Sequence, residues 1–160
     1  MTLTAKPLVG IGAVLSIGTL GGTPTFTAIN GIKQFKSPSQ KWSTEDVTTL
    51  DSTGGARVFV KTIQDPGGAD ISLMWESADA GQIALWNAFA ASSNQANGAA
   101  YPFKLVLPIN GAGGQTTTGD TFTFSALVTD VQNPEVQVDK AITWSVKLQV
   151  SGPITYVEGT

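Results

Sequence analysis

The chain has 160 residues, of which 13% are charged, with a net charge of −3 and neither cysteine nor histidine. This length suits one domain with its own core, whereas the missing residue types exclude disulfides, thiolate or imidazole metal ligands and the usual general base. No basic run exists for tight phosphate binding. Because free monomers usually carry more surface charge, the composition suits either a β-domain covered by other copies or an ordinary Gly- and Thr-rich β-domain.

The N-terminus begins with an apolar segment that resembles part of a signal peptide. Lys6 precedes LVGIGAVLSIGTL, which contains three glycines, lacks a clean cleavage site, and is shorter than the roughly 20 residues that span a bilayer. We expect an N-terminal arm over residues 1–10 and no membrane insertion, with a targeting role as the alternative. Strands are expected at 15–19 and 26–35, the second bent at Asn30-Gly31.

Residues 48–70 predict a long hairpin arm. A short polar strand over 46–50 leads into a Gly-rich turn at 51–55, and the arm ends at a second turn over 65–68. An exposed apolar β-segment is an aggregation hazard on a monomer, so we expect it to contact a neighbouring subunit; the alternative is a hairpin folded onto its own sheet. The expected contact residues are Asp51, Arg57, Val58, Phe59, Val60, Lys61, Ile63 and Asp65.

The segment after the arm predicts one strand and one helix. Residues 70–75 alternate between apolar and polar side chains, as a strand with one packed face does. Apolar residues then recur at three-to-four spacing behind Asp79, a suitable N-cap, which predicts a helix over 79–93.

Three later segments, near 103–107, 121–128 and 142–150, also alternate with period 2. A Gly-rich loop over 111–119 and the Asn133-Pro134 break separate them. The chain is therefore predicted to be mainly β, a single domain over 1–160. It would form a β-sandwich of two mostly antiparallel sheets with one flanking α-helix and a long extended hairpin arm. The expected core includes Leu73, Trp75, Trp86, Phe89, Phe124 and Trp144.

No residue pattern predicts catalysis, a metal site or a cofactor. Glu76 and Asp79 flank a strand-to-helix junction, where capping explains them. Asp65, Asp70 and Asp120 lack the spacing of a calcium loop, and the Gly-rich loop lacks the ending of a phosphate-binding loop. We therefore expect no enzymatic activity.

Several motifs occur in an order that resembles one protein family. DVTTLDST (46–53), the arm, a strand ending in Trp75-Glu76 and DAGQ (79–82) follow one another. FTAINGI (26–32), the run 122–130 and AITWSVKLQVSG (141–152) extend the likeness over most of the chain. In this order they resemble the tail tube (major tail) proteins of long-tailed, non-contractile bacteriophages.

The resemblance implies a structural virion protein, made in the host cytoplasm, that assembles with itself into stacked hexameric rings. The tube would enclose a tape-measure protein, meet tail terminator and tail tip proteins, and conduct DNA into the host without binding it specifically. Family lumens are typically acidic, and such a wall would repel phosphates. Ser72, Thr143 and Gln149 are candidates for the lumen face. The arms over 1–10 and 152–160 would link successive rings.

Other functions remain open at the level of sequence. A carbohydrate-binding module would need exposed aromatic residues on one sheet face, for which Trp42 and Tyr101 are the candidates. Trp42 suits an exposed interface anchor and the end of a core strand equally well. An adhesin or pilus subunit would usually carry a signal peptide. A contractile tail or a secretion-system tube would use the same fold.

Overall fold

A seven-stranded antiparallel sheet forms the body of the molecule in the computed structural model, which describes residues 8–91 and 100–160. Its strand order is β2-β1-β7-β8-β9-β6-β3, and β4 pairs with β5 in a separate two-stranded sheet. The elements are β1 (Val14–Gly18), β2 (Phe26–Ala28), β3 (Ile32–Lys36), β4 (Lys41–Asp46), β5 (Phe59–Asp65), β6 (Gly68–Met74), α1 (Ala80–Ala90), β7 (Tyr101–Val106), β8 (Thr121–Glu135) and β9 (Thr143–Val157). Short 3-10 turns occur at Thr53–Gly55 and Gly111–Gly113.

The large sheet curls so that its two halves face each other. Phe35 in β3 stacks on Phe124 in β8 with ring centroids 6.3 Å apart, although β6 and β9 lie between these strands in the sheet. β8 and β9 are each 15 residues long and belong to both halves. The predicted fold class, mainly β with antiparallel sheets and one helix, is confirmed. The two main layers differ from the prediction, because they are two halves of one sheet and not two separate sheets.

Period-2 alternation places one face of each central strand in the core. Ile71 and Leu73 of β6 lie beside Val146 and Trp144 of β9, and all four are buried. Phe103 and Phe124 stack between neighbouring strands at 5.6 Å.

The predicted core is wrong for three of its six residues. Leu73, Phe124 and Trp144 are buried, but the side chains of Trp75, Trp86 and Phe89 are 41–43% exposed. Trp75 follows the end of β6 and meets Trp144 edge-on from outside, with ring centroids 5.4 Å apart.

Trp86 and Phe89 are exposed because α1 is rotated about its axis by two close contacts at its first turn. Gly81 lies against β2 so closely that a Cβ there would be 2.2 Å from the Ala28 carbonyl oxygen. The buried Gln82 amide donates to the carbonyls of Asn30 (2.9 Å) and Met74 (2.8 Å), and its oxygen accepts from the Glu76 N–H (3.2 Å). The buried face therefore contains Gln82, Leu85 and Ala88, not the stripe of Ile83, Trp86 and Phe89.

The helix begins where the sequence predicts and ends earlier. The Asp79 carboxylate caps it by accepting from the Gln82 N–H at 2.8 Å. Ala91 is extended and closes the helix. The predicted end at 92–93 lies outside the described residues.

Several predicted segments are wrong. The single strand expected at 26–35 is two strands, β2 and β3, which lie at opposite ends of the sheet order. β8 continues through the break expected at Asn133-Pro134. Of the polar strand expected at 46–50, only Asp46 lies in a strand, as the last residue of β4, and residues 47–50 lead into the tip. Because β4 pairs with β5, the hairpin arm spans residues 41–65 rather than 48–70. The expected C-terminal arm over 152–160 belongs to the body: β9 continues to Val157 beside β8, and the N–H groups of Thr116, Thr117 and Thr118 each donate to the Thr160 oxygen at 2.8–3.0 Å.

Gln82→Ala should lower the free energy of unfolding by roughly 2–4 kcal/mol, because two carbonyls and one N–H lose their buried partner. Asn87→Ala, on the exposed side of the same helix, serves as the control and should change it by less than about 0.5 kcal/mol. Urea unfolding of the dilute protein measures both. Equal stabilities of the two variants would contradict the role of Gln82 in orienting the helix.

Candidate functional site

The hairpin arm stands away from the body with its apolar side chains exposed. β4 and β5 pair from Lys41↔Asp65 to Asp46↔Phe59 and pack chiefly against each other. The exposed fractions of Val58, Phe59, Val60 and Ile63 run from 43% to 75%. An apolar surface of this kind on a protruding hairpin indicates contact with a partner.

Contacts within the arm hold its shape. Lys61 Nζ lies 5.7 Å from the centre of the Trp42 ring, a cation–π arrangement. Arg57 lies 3.9 Å from the Asp46 carboxylate, an exposed pair of small energetic weight. Asp51 lies exposed at the tip, and Asp65 accepts from the Gly67 N–H at 2.9 Å, which forms the turn after β5.

The base of the arm is fixed to the body at Gly67. Position 67 requires glycine for two reasons. Its φ is +73°, and a Cβ at this position would lie only 2.6 Å from the Ser39 carbonyl oxygen. The Gly67 carbonyl accepts from the Val150 N–H and from the Gln149 amide, both at 3.1 Å. The direction of the arm is therefore set by the body.

Hydrogen bonds close the arm next to its tip. The Thr48 side chain and N–H both donate to the Asp46 carboxylate, and together they hold the pKa of that carboxyl below its usual range. The Thr48 oxygen accepts from the Val58 N–H at 2.9 Å. The charged form of Asp46 thus holds Thr48 in the position where it bonds to Val58, on the other side of the tip.

A second surface is the polar outer face of β3, β6, β9 and β8. Ser72, Thr143 and Gln149 all lie in the strand phase that points away from the core, although Gln149 also supports the arm base. This face holds an open groove of about 520 Å³. Its polar lining comes from all four strands or their ends: Lys33, Gln34, Ser72, Gln132, Asn133, Glu135, Thr143 and Ser145.

Charges on the polar face are balanced. A cross-strand row runs through Lys36, Asp70, Lys147 and Asp130, in which the sign alternates from strand to strand. Lys147 Nζ lies 3.7 Å from the Asp130 carboxylate. This face therefore differs from the acidic surface that the family resemblance implies for a lumen.

The polar face ends in two open edges among the described residues. β3 pairs only with β6. β8 pairs with β7 as far as Ala126, and beyond it with β9 alone. Unpaired N–H and C=O groups on such edges are templates for another strand.

An apolar patch at the start and outer face of α1 is the third surface. Trp75, Ile83, Trp86 and Phe89 are all more than a third exposed, and the rings of Trp86 and Phe89 lie 6.2 Å apart. Trp75, Ile83 and Trp86 line a groove of about 230 Å³ together with Pro134 and Trp144. The sequence predicted Trp86 and Phe89 in the core, because helical spacing alone does not show how a helix is rotated. Strand alternation over 70–75 predicted Trp75 there, but β6 ends at Met74.

The described residues offer no arrangement suited to catalysis. Asp79 caps α1 and accepts from the Asn30 amide at 2.7 Å, and Asp120 accepts from Gln115 Nε2 at 2.7 Å and from the Gly159 N–H at 2.9 Å. Within residues 8–91 and 100–160, no group of three or more acidic side chains is arranged so that it could hold a metal ion. In the same ranges, no helix is long and apolar enough to span a bilayer.

Comparisons with known proteins give one consistent result. No protein-family model matches the chain, and no curated protein does either. Solved structures match it over nearly its full length. The tail of an empty gene transfer agent particle, described with C6 symmetry, has 16% identity and a TM-score of 0.64, covering 94% of this chain and 99% of its own.

Two further structures agree with it. The SPP1 tail tube has 16% identity and a TM-score of 0.64, covering 96% of this chain and 80% of its own. The sheath-tube complex of an extracellular contractile injection system, PVC, has 13% identity and a TM-score of 0.68, covering 98% and 95%. The chain has the tail tube fold. At these identities the likeness shows the fold alone.

The carboxyl of Asp46 should titrate below the usual range of an aspartate. The pKa of Asp46 is lower in the folded chain than in the unfolded chain. The stabilisation of the arm tip is therefore present above about pH 4 and is lost as the pH falls through the lowered pKa. Carboxyl chemical shifts followed by NMR give the value. Thr48→Val should raise this pKa towards normal, whereas Thr49→Val should not; an ordinary pKa in the unmodified chain would contradict the hydrogen bonding.

Proposed function

We propose that this protein is the structural subunit of a tail-type tube, which assembles with itself into stacked hexameric rings. The observation that carries the proposal is a hairpin arm, rigidly based at Gly67, whose apolar side chains contact little of its own body. The tail tube fold supports it. No enzymatic activity is proposed.

In this proposal the polar face lines the lumen. The half-sheet of β3, β6, β9 and β8 has a groove on that face and an edge at each side, so six copies joined edge to edge would form a closed barrel without free edges. Ser72 and Thr143 would face inwards. Because its lysines are matched by carboxylates, the wall would neither hold nor strongly repel DNA, and DNA would pass without specific binding.

The arm joins one ring to the next. Val58, Phe59, Val60 and Ile63 would be covered by a neighbouring subunit, and Arg57 and Lys61 would lie at the rim of that contact. Residues 8–10 are exposed and outside any strand, which suits the proposed N-terminal arm. Residues 1–7 lie outside the described part of the chain.

We propose the remaining partners on the basis of the sequence resemblance to tail tube proteins. The lumen would hold a tape-measure protein, and the two ends of the tube would meet terminator and tip proteins in a virion tail. The sequence resemblance favours a non-contractile tail. The fold is shared with a contractile injection system, so a search for a sheath around isolated tubes would decide between the two machines.

A carbohydrate-binding module is less well supported. Trp42 lies in the arm beside Lys61, whereas Tyr101 lies in β7 of the body sheet. The two rings therefore do not share a sheet face on which a sugar could stack.

Phe59→Ser combined with Ile63→Ser should raise the protein concentration needed for tube formation by about tenfold or more, because the arm loses apolar contact area. Phe59→Leu combined with Ile63→Val keeps both side chains apolar and retains most of that area, and it serves as the matched control. Sedimentation and electron microscopy measure assembly, and circular dichroism checks the fold. Tubes formed equally well by both double variants would rule out an apolar arm contact.

A further inference from the structure

The two edges of the polar half-sheet that have no paired strand among residues 8–91 and 100–160 carry opposite charges. Lys33 and Lys36 belong to β3, and Asp130 and Glu135 belong to the part of β8 beyond its pairing with β7. All four side chains are exposed. One edge is therefore positive and the other negative.

Strand directions make these edges complementary in a second way. β3, β6, β9 and β8 alternate in direction, because each neighbouring pair is antiparallel. A second copy placed beside the first in the same orientation would bring its β3 antiparallel to the first copy's β8. A head-to-tail junction of this kind is an ordinary antiparallel ladder.

Within one copy, charged side chains on neighbouring strands alternate in sign. The row runs through Lys36, Asp70, Lys147 and Asp130, so each charge has an opposite charge on the next strand. A β8 edge joined to a β3 edge extends this alternation into the next copy. Two β3 edges would bring lysines together, and two β8 edges would bring carboxylates together, both of which are repulsive.

We propose, resting on the proposed tube function, that these charged edges determine which strands join between subunits. Lys33 and Lys36 on β3 face Asp130 and Glu135 on β8 of the adjacent copy. The occupant of each edge is thus a second copy of this chain, and pairing between like edges is excluded by charge.

Two edge variants and their mixture test the proposal. Lys33→Glu/Lys36→Glu makes both edges negative, and Asp130→Lys/Glu135→Lys makes both positive. Each alone should need a protein concentration about tenfold higher or more for assembly. Mixed in equal amounts they should assemble together, because a ring with an even number of subunits can alternate the two. A chain that carries all four substitutions should assemble alone.

Circular dichroism establishes that each variant is folded, and Glu158→Lys provides a charge reversal away from both edges that should assemble normally. Edge variants that assemble alone like the unmodified chain would overturn the edge assignment while leaving the tube function intact. Folded variants that fail to assemble in the equal mixture would also overturn it. An unmodified chain that never assembles would overturn the tube function and this inference with it.

Discussion

Within the part of the chain that the structure describes, the large sheet leaves backbone groups unpaired along two of its strands, and the other surface features are consistent with that constraint. β3 and the second half of β8 each leave one side unpaired among the described residues. The sheet curls, yet its edge strands do not meet in a ladder. Edge pairing between copies would satisfy these groups without adding any secondary structure. The arm and the α1 patch, both apolar and exposed, suggest that further surface is covered in the same assembly.

A few specific contacts of the body hold these surfaces in place. Gln82 and Gly81 attach α1 to the turn before β3 and to β2, which orients Trp86 and Phe89 outwards. Gly67 fixes the arm to β9 through its carbonyl. The low share of charged residues, 13%, fits a surface that carries the exposed apolar side chains of the arm and of the α1 patch.

Sequence patterns predicted the fold better than the surfaces. Alternation in β6, β8 and β9 identified strands because one face of each packs in a core. The same kind of pattern failed for Trp86 and Phe89, because the rotation of α1 depends on contacts at Gly81 and Gln82 with segments distant in sequence. The open edges could not be predicted, since strand order follows from tertiary pairing. The apolar composition of the arm could be recognised in the sequence, but its first strand was misplaced because Lys41–Asp46 is exposed throughout and, apart from Trp42, polar.

Electron microscopy of the purified protein over a range of concentrations tests whether this chain assembles into a tube. We expect hollow tubes of uniform width, with six subunits in each ring and the polar face of β3, β6, β9 and β8 on the inside. Particles the size of a single chain at every concentration, with no ring or tube among them, would contradict it.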